Sequence, residues 1–372
     1  MGEQWNWDAL LRAEPPVSAR TSLEGAVEAV MDVRLEDVIA QGELRARRWV
    51  GLLRLPAEEA LPRLTPVFAQ DGFTAVIQAL EERGEIAILA VPGVIQPTAS
   101  RLWLALLLFV LTILTTVLTG FLQSGSFIDG VMFSATLLSI LLAHELGHFL
   151  ASRRLGVAVS YPFFIPLPPG LSVLGTMGAV IQMKEPPPDR RALFTIGVAG
   201  PLAGLALAIP LTLLGLSLSV VEALPVGGGY VLEGNNLLYV AMKWVIFQQW
   251  LPSNGMDVML HPIAFAGWAG MLVTALNLLP AGQLDGGHVI FALFGRRWAQ
   301  YVTYGIIGLL TLLGFVWTGW WIWAVLISLL ARRHAPILND VTPLGSRQRV
   351  LALITLLLFA LLFTPTPLVQ IP

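Results

Sequence analysis

Two histidines four residues apart, with a glutamate after the first, stand inside an apolar run from Val131 to Ala151: His144-Glu145-Leu146-Gly147-His148. On a helix both imidazoles of this H-E-x-x-H motif face one side and can share a metal ion. Glu145 lies about 100° further round the helix, where it can reach a water on the metal without displacing a ligand. In soluble enzymes the same arrangement activates a zinc-bound water, and the glutamate takes its proton. At membrane depth such groups are costly to keep unless they face protein or a wet cavity. One more ligand must come from elsewhere, with water in the fourth position. The chain has no cysteine and only five histidines, so the strong ligands left are His, Asp and Glu. A candidate stretch lies far downstream, from Asn277 through Pro280 to Asp285-Gly286.

Together H-E-L-G-H and N-x-x-P-x-x-x-x-D-G, each on an apolar segment, resemble the site-2 protease family of intramembrane zinc metalloproteases, peptidase family M50. The match covers about residues 100 to 295. The order of elements resembles members with a soluble N-terminal domain. The resemblance implies that His144, His148 and Asp285 bind Zn2+ and that Glu145 is the general base. Asn277 would then orient the substrate or stabilise the oxyanion. It implies zinc-dependent cleavage of the transmembrane segments of single-span proteins, that is, regulated intramembrane proteolysis. His288 is a rival ligand, but the family places the ligand at the Asp of D-G. A membrane-embedded β element is also implied. It falls on Gly175-Thr176-Met177-Gly178-Ala179-Val180, a substrate-binding edge strand that could hold an unwound segment by β-addition.

The rest of the chain must position these residues. Of 372 residues, 56% are hydrophobic and 12% charged, which fits a polytopic α-helical membrane protein. A net charge of −2 with no basic tract argues against a nucleic-acid partner. Residues 1–98 differ: they hold 24 of the 46 charged residues, 15 acidic and 9 basic, and Met1-Gly2-Glu3 does not open as a secretory signal. A strand at Arg48–Leu55, a helix from Pro56 to about Gln70, and strands at Phe73–Leu80 and Glu85–Val91 around a Glu-Arg-Gly turn predict a small soluble α+β domain. It carries no catalytic constellation, so binding a regulatory partner is its functional reading and a solubilising cap the plain one.

Residues 99–372 then form the transmembrane metalloprotease domain. Spans are expected at Leu102–Leu122, Val131–Ala151, Ala192–Leu216 and Pro262–Gly282. Tyr301–Leu330 divides near Thr318-Gly319, Leu237–Trp250 is interfacial, and Leu351–Phe363 is a last short segment, giving six or seven spans. Gly197, Gly200, Gly204 and Ala208 are spaced to let another helix approach closely. Of 13 basic residues past position 100, only Lys243 falls away from one side. The positive-inside rule makes that side cytoplasmic, with the N-terminal domain there and the protein in the plasma membrane of a prokaryote, in contact with lipid. A metal transporter and an inert scaffold are the competing readings. A transporter would show several polar residues along a span and repeated halves, and a scaffold would lack Glu145 or a ligand.

Overall fold

The computed structural model describes residues 17–41, 44–80, 84–224, 230–330 and 337–371. Its first module is an antiparallel sheet in the order β1-β2-β4-β3, from β1 (Met31–Gln41), β2 (Leu44–Leu53), β3 (Phe73–Ala79) and β4 (Ile86–Pro92). Helices α1 (Val17–Glu28) and α2 (Ala57–Gln70) pack on this sheet. α2 buries Ala57, Ala60, Leu61, Leu64 and Phe68, the three- and four-residue spacing of a one-sided helix. Trp49, Ile77 and Ile88 of the sheet meet that stripe. The sequence locates α2, β3 and β4. It starts β2 four residues late, at Arg48, and overlooks α1 and β1. β1 is obscured by its charges: Asp32, Glu36 and Asp37 pair with Arg54, Arg47 and Arg48 of the neighbouring segment, so the strand does not read as apolar alternation. The turn expected at residues 82–84 falls mainly outside the described residues.

Helices α3 (Leu102–Ser124), α4 (Phe127–Arg154) and α5 (Arg190–Ser217) are, among the described residues, those long and apolar enough to cross a membrane. α6 (Leu237–Phe247), α7 (Pro262–Asn277) and α9 (Gly319–Leu330) are apolar but shorter. α8 (Asp285–Leu313) and α10 (Ser346–Leu362) complete the helices. The 16 residues of α7 rise about 24 Å at 1.5 Å per residue, short of a hydrocarbon core of about 30 Å. Length and apolarity therefore mark three spans where the sequence suggests six or seven. Several hydroxyls inside the bundle are satisfied locally. The hydroxyls of Thr112 and Thr116 donate to the carbonyls of Leu108 and Thr112 (both 2.7 Å), and Thr116 and Ser134 share a 2.7 Å hydrogen bond across α3 and α4.

Two boundaries depart from the sequence reading. α7 stops at Asn277, before Pro280, and does not run on to Gly282. α8 begins at Asp285, ahead of the segment expected from Tyr301, whose own helix starts at Arg296, just past Gly295. Gly295 (φ 80°, ψ −179°) is not helical, so α8 is two helices end to end, and Arg296-Arg297 stands at the start of the second, where the sequence puts a span boundary. Residues 217–260 hold strands as well as a helix: β7 (Val220–Ala223) pairs with β9 (Met256–Met259), and β8 (Tyr230–Glu233) with β10 (Leu368–Ile371). Lys243 in this region is fully buried, 3.3 Å from both Glu233 and Asp257.

The two modules are joined by a segment far away in sequence. Ile77 N–H on β3 donates to Leu338 O (2.7 Å) and Asp340 N–H donates to Ile77 O (3.1 Å), so Leu338–Asp340 adds to the edge of the sheet. The Asp340 carboxylate accepts from Ala79 N–H (2.6 Å), Leu338 N–H donates to Pro187 O (3.1 Å), and Glu58 pairs with Arg191 at 2.8 Å. Burial pushes the Asp340 carboxyl above its ordinary value, offset in part by Ala79 N–H and by the charges of Arg190 and Arg296. A folded pKa above the unfolded one means that this seat is at full strength below about pH 4 and weakens as pH rises through the folded pKa. We expect the protection of the β3 amides, corrected for intrinsic base-catalysed exchange, to fall over that rise in the wild type and to lose this dependence in Asp340→Asn. A pH dependence unchanged in the variant would contradict this assignment.

Candidate metal centre

α4 carries His144, Glu145 and His148 on adjacent turns near its C-terminal end, where Arg153 and Arg154 complement the helix dipole. The opposing wall is the turn from α7 to α8, which begins at Asn277 and ends at Asp285, the first residue of α8. Gly286 is required by that turn: a Cβ there would stand 2.0 Å from Leu278 O. This explains the glycine of the D-G pair. Gly282 N–H donates to Thr303 Oγ1 (3.0 Å) and ties the turn to α8.

The two halves of the site meet closely. His144 Nε2 and His148 Nε2 are 3.1 Å apart, and Asp285 Oδ2 is 3.3 Å from the first and 3.4 Å from the second. Two ligand atoms each about 2.05 Å from a tetrahedral zinc ion are about 3.3 Å apart. The three atoms thus have the spacing of three corners of a zinc tetrahedron. Among the described residues, His144, His148 and Asp285 are the one such group able to hold a metal. His148 Nδ1 is 2.8 Å from Ile196 O. As a donor to that carbonyl it leaves Nε2 free to bind a metal, a usual second contact of a ligating histidine. Asn277 Nδ2 lies 3.2 Å from His144 Nε2, at the rim of the cluster. Glu145 is buried beside it. His288 is also buried but packs against Gly197 and is not in the group.

α5 closes the site, and here the sequence reading falls short. Gly200 and Gly204 do allow a close helix approach, but what approaches is the imidazole pair. A Cβ at Gly200 would stand 2.1 Å from His148 Nε2 and 2.4 Å from its Cδ2, whereas one at Gly204 would come no nearer than 3.2 Å to His144. Histidines four apart on α4 facing glycines four apart on α5 is the signal that could have linked the two segments.

The strand expected at Gly175–Val180 is β6 (Thr176–Val180), antiparallel to β5 (Phe163–Pro166) with Phe163 opposite Val180. Gly175 (φ 70°) adjoins it, and a Cβ there would strike Thr119 Oγ1 and Thr115 O of α3. Gly178 also has positive φ (103°) but open space around it. Among the described residues the sheet has two strands and one edge of β6 carries no strand, and Met177 and Val180 are exposed. β6 also touches α4, the metal helix.

A membrane protein with a helix-borne metal centre of two histidines and an aspartate is the class that this geometry defines. Residues 132–315 match Peptidase family M50, and the chain belongs to that family, so its resemblance to the site-2 proteases holds. The probable zinc metalloprotease EGY1, chloroplastic, of Oryza sativa subsp. japonica is 35% identical over 61% of this chain and 39% of its own length. EGY1 of Arabidopsis thaliana is likewise 35% identical, over 61% and 41%, and EGY2 of Arabidopsis thaliana is 31% identical over 64% and 42%. The chain spans about two fifths of the length of these curated relatives. No solved structure matches it significantly.

The glycine contact yields a test. We expect Gly200→Ala to weaken metal binding by about 10–100-fold, the usual cost of disturbing a ligand's surroundings, with Gly204→Ala affected less. Metal content after dialysis measures both, and equal retention in the two variants would contradict the packing argument.

Proposed function

We propose that this chain is a zinc metalloendopeptidase that cleaves single-span membrane proteins within the bilayer. The observation that carries the reading is the tetrahedral spacing of three ligand atoms at a site built on a membrane helix. Zinc, when bound, supplies a Lewis acid for the scissile carbonyl and a water of lowered pKa. His144, His148 and Asp285 hold it. Glu145, on the same turn as His144 and shut away from bulk water, takes the proton of the attacking water and passes it to the leaving amine. The Asn277 amide, 3.2 Å from His144 Nε2, is placed to orient the substrate carbonyl and to donate to the oxygen on which charge develops.

A substrate helix hides its peptide bonds, so it must be extended before attack. The free edge of β6 offers main-chain donors and acceptors for that, and its contact with α4 puts an added strand beside the metal helix. The N-terminal domain lies on the cytoplasmic side, because the basic ends of the membrane helices gather there: Arg191 pairs with Glu58, and Arg190 and Arg296 both act on Asp340. Lys243, the one basic residue past position 100 expected on the other side, is neutralised by Glu233 and Asp257. The relatives named above are chloroplastic, so the compartment here is a bilayer with this sidedness, the prokaryotic plasma membrane being one.

The test is purified protein with a panel of single-span proteins. Glu145→Gln should lose cleavage by at least about 10²-fold, the scale of general-base catalysis, while keeping its zinc. His144→Ala, His148→Ala and Asp285→Ala should lose zinc and cleavage together. Full zinc in Asp285→Ala with loss in His288→Ala would reassign the third ligand. For the strand, Val180→Pro should reduce cleavage steeply at normal zinc content, and Val180→Ile should not. Equal activity of these two would remove strand addition from the mechanism.

A further inference from the structure

The β5–β6 ribbon does not end at Val180. Ser160 N–H donates to Gln182 O (2.9 Å), Lys184 N–H donates to Ala158 O (2.8 Å), and Val159 bridges Met183. The two strands therefore stay paired down to Ala158 and Lys184. There the ribbon reaches the N-terminal domain. Val157 and Pro186 line one wall of a cavity of ≈ 290 Å3, and Ala69 of α2 with Phe73 and Ala75 of β3 line another. Leu155, the residue after α4, lines it too. It is seven residues beyond His148, about 10 Å further along the helix axis.

This cavity adjoins an incomplete strand pairing. Leu338–Asp340 runs parallel to β3, with Asn339 opposite Ile77. In a parallel ladder the next bond would run from Leu338 N–H to Ala75 O. Leu338 N–H goes instead to Pro187 O, which leaves Ala75 O, at the cavity wall, without this bond among the described residues. Among the described residues the edge of β3 thus accepts extended chain at Ile77 and not at Ala75. Three of the side chains that line the cavity are polar. The hydroxyls of Thr65 and Thr74 already donate to Leu61 O (2.8 Å) and Gly93 O (2.6 Å), and Glu185 Oε2 accepts from Ala158 N–H (3.0 Å). The volume is at the lower end of binding cavities, enough for a short stretch of small side chains. The Glu185 carboxylate disfavours an acidic one.

We propose that this cavity is a substrate subsite: it takes, in extended form, the segment that flanks the cleaved span on the side of the N-terminal domain. The preferred flank is short, small and uncharged or basic. The inference rests on the protease reading above. The ribbon joins the two sites physically, since a strand held along β6 and followed toward Ala158 arrives at this cavity. On this account the N-terminal domain contributes one wall of the substrate track, and its seat on Leu338–Asp340 keeps that wall in place.

The test uses the full chain in detergent. The probes are three single-span reporters, each maltose-binding protein fused to one cleavable span, with a flank of Ala-Val-Ala, of Glu-Glu-Glu, or none. The wild type should show a KM about five- to tenfold lower for the Ala-Val-Ala reporter than for the other two, the worth of about one main-chain hydrogen bond, with kcat similar. Ala69→Trp, which fills the cavity, should bring that KM ratio to about one while zinc content stays unchanged. Thr65→Trp serves the same purpose from another point on the wall should Ala69→Trp not fold. A ratio of one in the wild type, or a ratio kept in a folded cavity-filling variant, overturns the subsite and leaves the protease standing. Zinc-loaded wild type that cleaves none of the reporters or the panel proteins overturns the protease reading, and the subsite with it.

Discussion

Two imidazoles and a carboxylate within 3.4 Å of one another are an arrangement that a membrane interior does not tolerate without compensation. Much of the surrounding structure supplies it. His148 is fixed through its second nitrogen by Ile196 O on α5, and the ring fits only because Gly200 has no side chain. Asp285 reaches the cluster because α7 ends at Asn277 and the chain makes a turn that only glycine at position 286 permits. α4, α5 and the α7–α8 turn are thus held together by a requirement of the site as much as by apolar packing. The hydroxyl pair of Thr116 and Ser134 fixes α3 to the same frame.

The residues of the centre were legible because their types are rare where they stand. Two histidines and a glutamate in an apolar run, and an aspartate after a proline-broken one, have few alternative explanations in a bilayer. Pro56 at its start and Asp71-Gly72 after its end marked α2. β1 was not legible, since its charges pair across the sheet instead of facing water in a simple alternation. The short helix from Asp285 to the break at Gly295 was not legible, because Arg296 and Arg297 mark the edge of the longer helix that follows it. The role of Gly200 could not be read from α5 alone, because a glycine stripe says that something approaches closely and not what does.

The N-terminal domain is bound into the same frame. Its outer strand β3 would be an exposed edge, and the membrane domain covers part of it with Leu338–Asp340. The same short segment touches Pro187, just before α5, the helix that closes the metal site. A change in how the domain sits would therefore act on the start of α5, about one turn and a half before Ile196. This gives the N-terminal module a physical route to the metal cluster.

The most direct measurement is zinc K-edge X-ray absorption on the purified, zinc-loaded protein. The account predicts a four-coordinate site with two imidazole nitrogens and two oxygens at about 2.0–2.2 Å, one oxygen from Asp285 and one from water. In Asp285→Asn the first of these should be weakened or lost. A spectrum that requires three imidazoles, or one that Asp285→Asn leaves unchanged, would contradict the proposed centre.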